Sequence, residues 1–424
     1  MPALPMNPDQ APRQSRISSM LPSIGGVLLM GFVLRLGFAL YLGGGIYQPD
    51  EGVYVTMARN LHERGVFGVG DVPTAERPPA LPFLLAGIFG LLGPSVLLAR
   101  IVHVLFSVAG IWALYRYASL VFGRQAGLMA AAIAAVYPFF VYWSGILMTE
   151  TLATVLVTFA LWRTQVLSEG EARMRDAVAA GLLWGLASLT RTQNLAFPVA
   201  LAAWLIWKAR LGLRKQVLVF LVLAFLPPML WAARNWRQFG ALTMDTHAGY
   251  TLLIRTMFYD QDNIDTGVAR QALEQTEFYQ KAEGLPAVER DRVFSREALN
   301  FIRENPGTYL YNSCRNFWQF WRFYPRMDKT VGVVDSAFVG GKRMYFALLS
   351  GLTEPLLILC GLAGLYLGWK RGLPVLLPGL FIVFTTGIHT LVIAQMRYRI
   401  PVMPLIIMLA SYGMISLWEK ARSR

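Results

Sequence analysis

Several charged residues stand where an apolar run of the sequence ends, and these are the residues best placed to do chemistry. They are Asp50-Glu51, Glu76-Arg77, Glu150, Arg191, and the pair Arg397 and Arg399. A charged side chain near the centre of a bilayer costs roughly 2.5–3.5 kcal/mol on insertion scales, so such residues usually face one another or a water-filled cavity. We therefore expect these side chains to form one polar site.

The acidic residues fit several roles. If Asp50 and Glu51 are helical neighbours, their side chains point about 100° apart, so one can reach a cavity while the other packs against the scaffold or binds a metal. Acids also stabilise the positive N-terminal end of a helix, which is an equally ordinary reading of Asp50, Glu51 and Glu150. Glu76 precedes Pro78-Pro79 and would also fit an exposed turn.

The arginines favour a phosphate site. Planar guanidinium groups pair well with phosphate oxygens. Arg191 lies between two short apolar runs, and Arg397 and Arg399 open the last one. The alternative for all three is that they reach toward lipid headgroups. His247 follows the seventh apolar run and could either assist this site or be a solvated loop histidine.

Acids and arginines at one membrane face suit the transfer of a sugar from a lipid phosphate. A carboxylate would take the proton of an acceptor hydroxyl. Arginines, with or without a divalent cation, would stabilise the departing phosphate. A single inverting displacement of this kind requires no covalent enzyme intermediate.

The composition predicts that helices in a membrane position these groups. Of 424 residues, 55% are hydrophobic and 15% are charged, with a mean hydropathy of +0.45. A soluble domain carries roughly a quarter of charged residues. The net charge of +14 resides mostly in short basic loops between apolar runs, so we do not expect nucleic-acid binding. The two cysteines, Cys314 and Cys360, predict neither a disulfide nor a metal motif.

The apolar runs predict an all-α polytopic membrane protein with about ten spans. We place them near 22–44, 95–119, 125–143, 146–166, 177–190, 193–207, 215–233, 345–368, 374–393 and 399–418. With the N-terminus in the cytoplasm, every short basic loop falls on the cytoplasmic side. This orientation puts both termini inside and all the site candidates at the outer face.

Two outer segments are too long to be turns. In the first, Pro49 and Gly65 suit the start and stop of a helix lying in the interface, and Pro78-Pro79 start a second short helix through about Leu92. The predicted domains are a disordered cytoplasmic N-terminus at 1–21, an N-terminal transmembrane module at 22–233 that includes the outer loop 45–94, an outer (periplasmic) helical domain at 234–343, C-terminal transmembrane helices at 344–418, and a cytoplasmic tail at 419–424.

Six short motifs, in order along the chain, resemble the GT-C integral-membrane glycosyltransferases, in particular protein O-mannosyltransferases and the bacterial aminoarabinose transferases of lipid A. They are Gln48-Pro-Asp-Glu-Gly-Val-Tyr54, Glu76-Arg-Pro-Pro-Ala-Leu-Pro82, Met148-Thr-Glu-Thr151, Gly181–Asn194, Asn305-Pro-Gly-Thr-Tyr309 and Arg397-Tyr-Arg-Ile-Pro401. Each motif is weak alone, and their common order makes the set more specific.

The resemblance implies a GT-C-like fold, a polyprenyl-phosphate-linked sugar donor, a lipid, glycan or protein acceptor, and transfer at the periplasmic face of a bacterial inner membrane. By position it makes Asp50 the general base and puts Glu76 and Glu150 near the acceptor or a divalent metal. We count Glu51 and Glu150 with Asp50 as catalytic residues. The resemblance also puts Arg77, Arg191, Arg397 and Arg399 near the donor phosphate. We count Tyr54, Glu76, His247 and Tyr398 with them as substrate-binding residues. A divalent cation, if one is used, would be held by Asp50, Glu76 and Glu150. The chain is shorter than many relatives, which leaves the acceptor and the metal open.

Two other classes of function remain as alternatives. A transporter or flippase of a lipid-linked saccharide would favour repeated halves and a polar site at the membrane midplane. The sequence contains no visible repeat, and its charged candidates gather at one interface. A non-enzymatic subunit of an assembly or export machine would tolerate replacement of Asp50.

Overall fold

The computed structural model describes residues 23–169, 173–208, 214–257, 272–323 and 343–423, and these are helical apart from one small hairpin. The helices of the first half are α1 (Ile24–Leu42), α2 (Pro49–Arg64), α3 (Ala80–Leu92), α4 (Val96–Phe122), α5 (Arg124–Val136), α6 (Pro138–Gly145), α7 (Thr149–Glu169), α8 (Met174–Thr190) and α9 (Phe197–Lys208). Those of the second half are α10 (Arg214–Phe239), α11 (Ala248–Met257), α12 (Glu277–Ala282), α13 (Ala287–Glu304), α14 (Pro306–Trp321), α15 (Arg343–Lys370), α16 (Leu376–Leu391) and α17 (Met403–Arg422).

This is a multi-pass membrane protein. Within the described residues, six helices are long and apolar enough to cross a membrane, and the pair α5–α6, bent by 55°, makes a seventh if it is one span. Each of the ten predicted apolar runs coincides with a helix or with this bent pair. Because α8, α9 and α16 have 17, 12 and 16 residues, the number of ten spans stays a prediction.

The first long connection, between α1 and α4, holds two helices and a hairpin. Helix α2 begins at Pro49, and its end is set by Gly65, whose φ of 70° places it in the left-handed region that glycine adopts without strain. The strands β1 (Gly68–Val69) and β2 (Val72–Pro73) pair antiparallel, and the sequence analysis did not predict them. The Asn60 amide donates to the carbonyl of Gly70 at 2.7 Å and thereby ties the hairpin to α2.

Two glycine contacts allow the bundle to pack closely. A Cβ on Gly364 of α15 would lie 1.9 Å from the carbonyl oxygen of Leu409 on α17. A Cβ on Gly181 of α8 would lie 2.6 Å from the carbonyl oxygen of Phe220 on α10. Small residues at such crossings let two membrane helices approach until their backbones touch.

The second long connection contains α11 to α14, and a small apolar core forms where α11 packs against α13 around Leu253, Phe294 and Ala298. The described part of the outer domain predicted at 234–343 is helical, as the sequence analysis expects. Tyr324 and the predicted disordered segment 1–21 lie outside the described residues.

Candidate functional site

The ends of four elements meet at one polar site. Asp50 is in the first turn of α2, Glu150 is in the first turn of α7, Arg191 directly follows α8, and Arg397 lies in a 3-10 turn, Met396–Val402, before α17. Arg77 comes from the connection that leads to α3. Residues separated by more than 300 positions are therefore brought together, as the sequence analysis expects.

Asp50 lies between two arginines, and we call Asp50, Arg77 and Arg397 the Asp50 cluster. The Arg77 Nη2 donates to Asp50 Oδ1 at 2.8 Å, and the Arg397 Nη1 lies 3.7 Å from Asp50 Oδ2. The Asp50 side chain is 31% exposed and Arg77 is 27% exposed. The cluster is therefore an ion-paired group with an open side, on which another molecule could contact both the carboxylate and the guanidinium groups.

A second ion pair lines the same site. The Arg191 Nη2 lies 2.9 Å from Glu150 Oε1, and the guanidinium stacks 5.5 Å from the centre of the Tyr398 ring. The other Glu150 oxygen, Oε2, and the Nε atoms of Arg191 and Arg397 are buried without a hydrogen-bond partner in the described part of the chain. Buried polar atoms usually have hydrogen-bond partners. These three atoms therefore have unused hydrogen-bonding capacity that a polar substrate group could satisfy.

Tyr54 and His247 complete the site. Burial raises the pKa of the Tyr54 hydroxyl to about 12, with smaller effects from the nearby charges of Arg77 and Asp50. Tyr54 therefore remains a hydrogen-bond donor at neutral pH. Burial, assisted by the charge of Arg77, lowers the pKa of His247 below its usual value. His247 is thus neutral at pH 7 and can accept or donate one hydrogen bond from its ring.

Glu51 lies outside the open part of the site. Its side chain is fully buried, and Oε1 accepts from the Arg100 guanidinium at 2.8 Å and from the Leu147 amide at 3.0 Å. Its Oε2 accepts from the Tyr47 amide at 2.8 Å. We call Glu51, Arg100 and these two amides the Glu51 cluster. Arg100 also donates to the carbonyls of Gly43, Gly45 and Gly145, which fixes the loop before α2 against α6.

Arg399 also has an internal partner rather than an open face. Its Nη2 donates to Glu354 Oε2 at 2.6 Å, and both side chains are buried. The Tyr137 hydroxyl donates to the other oxygen of Glu354. The sequence analysis missed Glu354 and Arg100, although each is a charged residue inside an apolar helix, a signal that usually marks a buried partner.

Three stacked aromatic rings pack against the segment that carries Arg397. The Tyr398 ring stacks on His389 with centres 4.9 Å apart, and His389 stacks on Phe320 at 5.5 Å. The His389 Nδ1 lies 2.7 Å from the carbonyl of Ile393, and its Nε2 lies 2.8 Å from the Gln193 amide. Both contacts are satisfied when Nδ1 carries the proton, so the ring is held in one tautomer. Neither His389 nor Gln193 was identified from the sequence.

Each of the three acids predicted to share a metal has an arginine partner. Glu76 pairs with Arg290 of α13 at 3.2 Å, while Asp50 and Glu150 pair with arginines of their own. Among the described residues, no group of three or more His, Cys, Asp or Glu side chains is arranged to hold a metal ion. The divalent cation therefore stays a prediction, and we derive no step through one.

An apolar groove is lined by residues close in sequence to three of the site residues. Its volume is about 730 Å³, and its lining includes Pro79 and Ala80, which follow Arg77, together with Leu152 of α7 and Leu189 of α8. Leu152 lies two residues after Glu150, and Leu189 lies two residues before Arg191. The groove is lined by apolar parts of α7, α8 and α10 and is large enough for a hydrocarbon chain.

Comparison with known proteins supports the class predicted from the sequence. A family model described as dolichyl-phosphate-mannose-protein mannosyltransferase matches residues 76–231, which include Glu76, Arg77, Glu150 and Arg191. A search of the curated proteins found no match.

The fold is similar to that of solved membrane glycosyltransferases. The Archaeoglobus fulgidus oligosaccharyltransferase tethered with an acceptor peptide superposes with a TM-score of 0.53 at 15% identity, covering 94% of this chain and 50% of that one. This chain thus spans half the length of the archaeal enzyme. ArnT from Cupriavidus metallidurans bound to undecaprenyl phosphate gives a TM-score of 0.44 at 15% identity, covering 94% and 79% of the two chains. The resemblance to the GT-C membrane glycosyltransferases is confirmed.

Proposed function

We propose that this protein transfers a sugar from a polyprenyl-phosphate donor to an acceptor hydroxyl or phosphate at the outer face of a bacterial inner membrane. The observation that carries the proposal is the Asp50 cluster, in which an open carboxylate lies between two guanidinium groups. The family match to dolichyl-phosphate-mannose-protein mannosyltransferases points to the same donor class.

The donor would bind by both of its parts. Its hydrocarbon chain fits the groove beside Leu152 and Leu189, where burial removes apolar surface from water. The guanidinium groups of Arg397 and Arg77 would bind its phosphate, with Arg191 close by. Because these arginines pair with Asp50, donor binding would draw them to the phosphate and leave the carboxylate free to accept a proton.

The reaction would then be one displacement. The acceptor oxygen attacks the anomeric carbon of the sugar while the bond from that carbon to the phosphate oxygen breaks. The bonding electrons leave on the lipid phosphate, where the arginines stabilise the charge. The proton of the acceptor passes to Asp50, which acts as general base. Attack opposite the leaving group inverts the configuration of the sugar.

The other residues of the site would have supporting roles. Tyr54, held protonated by burial, can donate a hydrogen bond to the sugar or the phosphate. Glu150 keeps one buried oxygen without a partner, which is suited to accept from a sugar hydroxyl. Glu76 and His247 lie toward α13 and would meet the acceptor. We assign Glu51 and Arg399 a positioning role, because each is fully buried against an internal partner.

The test uses purified protein in lipid nanodiscs and a panel of polyprenyl-phosphate sugars with a membrane glycolipid extract. Release of free polyprenyl phosphate is measured for the unmodified protein and for Asp50→Asn, which keeps the shape of the side chain and removes the base. We expect a loss of about 10²–10⁴-fold in rate, the usual contribution of a general base.

The matched control is Asp71→Asn, because Asp71 is also an outer-segment aspartate paired with an arginine but is 86% exposed and outside the site. It should transfer at the normal rate. Equal rates for Asp50→Asn and the unmodified protein would remove Asp50 from the mechanism. Movement of an intact lipid-linked sugar across the bilayer, without release of polyprenyl phosphate, would instead establish the flippase alternative.

A further inference from the structure

A second charged pocket lies at the opposite ends of the helices that build the candidate site. Its volume is about 480 Å³, and it is lined by the last turns of α4 and α7 and the first turn of α8. Helix α7 carries Glu150 at one end and Arg163 at the other, 13 residues later. At 1.5 Å per residue the two are separated by roughly 20 Å, so this pocket is distinct from the proposed transferase site.

The pocket is strongly basic. Four arginines line it, whereas Asp176, paired with Arg163, is the acid among its lining residues. The lining arginines are Arg116, Arg163, Arg173 and Arg175. The Nε atom of Arg163 is buried and has no partner within the described ranges. The guanidinium of Arg116 lies over two indole rings, 5.4 Å from the centre of Trp112 and 5.1 Å from that of Trp162.

The position of the pocket along the membrane-spanning helices indicates which class of ligand it binds. Helices α4 and α7 are both apolar enough to span a membrane, and the pocket lies within their last two turns. Tryptophans and arginines at that level are typical of the layer of lipid headgroups. Guanidinium groups bind phosphate oxygens through paired hydrogen bonds, and Trp162, Leu120 and Val166 add an apolar side to the same pocket. A phosphate that carries acyl chains satisfies both features.

We propose that this pocket binds the phosphate headgroup of an anionic phospholipid at the membrane face opposite the candidate active site. Basic pockets between transmembrane helices have the chemistry that holds such headgroups. In this proposal the guanidinium groups of Arg116 and Arg175 bind the phosphate, and the acyl chains pack against the apolar ends of α4 and α7. The inference does not depend on the sugar-transfer reaction.

The test measures lipid retention in detergent solution by native mass spectrometry, using phosphatidylglycerol as the anionic probe and phosphatidylcholine as the zwitterionic one. We expect the unmodified protein to retain one more phosphatidylglycerol than the double variant Arg116→Gln with Arg175→Gln. Loss of the two arginines should lower the affinity of the pocket for phosphatidylglycerol at least about tenfold.

The matched control is Arg124→Gln with Arg422→Gln, which removes the same charge from exposed helix ends outside the pocket. It should retain the lipid as the unmodified protein does. Equal retention by the two double variants would overturn the proposal, as would equal retention of phosphatidylcholine. A third arm needs no variant: glycerol phosphate or inorganic phosphate in excess should not displace the lipid, and displacement would show that the pocket takes a free phosphate instead.

Discussion

The Asp50 cluster and the Glu51 cluster start from adjacent residues of α2 and have opposite properties. Asp50 is 31% exposed and has two arginines on it, one at hydrogen-bond distance and one at 3.7 Å. Glu51 is 0% exposed and accepts from a guanidinium and two backbone amides. The Asp50 carboxylate is accessible to a substrate, whereas the hydrogen-bonding capacity of the Glu51 carboxylate is used by groups of the protein. Of two neighbouring acids, one is thus available for chemistry and the other stabilises the fold.

A buried charge that loses its partner is costly, whereas a half-exposed one can be solvated. This difference in water access is why the two clusters should respond differently to the same amide substitution. The four predictions below test that contrast, starting with the largest effect.

The Glu51→Gln substitution should destabilise the fold severely. It leaves the guanidinium of Arg100 buried without its counter-charge, and breaking a buried pair costs about 3–5 kcal/mol. The free energy of unfolding would be measured by titration with SDS in mixed micelles. The exposed pair of Asp71 and Arg64 supplies the reference, since Asp71→Asn should change stability by about 1 kcal/mol or less. A similarly small effect of Glu51→Gln would show that the Glu51 cluster is not architectural.

Arg399 and Glu354 should behave as a coupled structural pair. Arg399→Leu leaves the Glu354 carboxylate buried and unpaired, so the double variant Arg399→Leu with Glu354→Leu should be more stable than the sum of the single effects. A double-mutant cycle on unfolding should give a coupling energy of about 0.5–3 kcal/mol. Strictly additive changes in the free energy of unfolding, with a rise in donor KM for Arg399→Leu, would instead indicate that Arg399 binds the donor phosphate.

Arg397→Ala should weaken donor binding and leave the fold intact. A hydrogen bond to a charged group contributes roughly 1.5–3 kcal/mol, so the KM for the polyprenyl-phosphate sugar should rise at least about tenfold. Steady-state kinetics in nanodiscs would measure it, with Arg124→Ala as the control for loss of an exposed arginine. An unchanged KM would exclude Arg397 from the phosphate site.

His247 should give the smallest effect, a weak dependence of stability on pH. Its pKa is lowered in the folded protein, so the unfolded chain binds a proton at a higher pH than the folded chain does. Stability is then complete above the unfolded pKa, near 6.5, and falls as the pH falls toward the lowered folded value. Thermal midpoints from pH 7 downward should decline less in His247→Gln. Parallel declines in the two proteins would show that His247 does not titrate with unfolding.

The sequence by itself determined the class of fold and much of the site. Long apolar runs can satisfy their backbone groups in a bilayer only as helices, so the helix positions follow from hydropathy. Pro49 and Gly65 fixed the two ends of α2 through their restricted and permissive backbones. The charges of Asp50, Arg77 and Arg397 stood out because a membrane tolerates such groups only where they have partners or water.

The tertiary structure alone decided which partner each charge received. No pattern in Pro49–Tyr54 indicates that Glu51 faces Arg100 on α4 while Asp50 faces the open site, because that depends on the rotation of α2 against α1, α4 and α6. Likewise, only packing brought Glu354 of α15 to Arg399 and His389 under Tyr398. Local sequence sets which helices form, and long-range packing sets which side chains are sealed in and which stay open to a substrate.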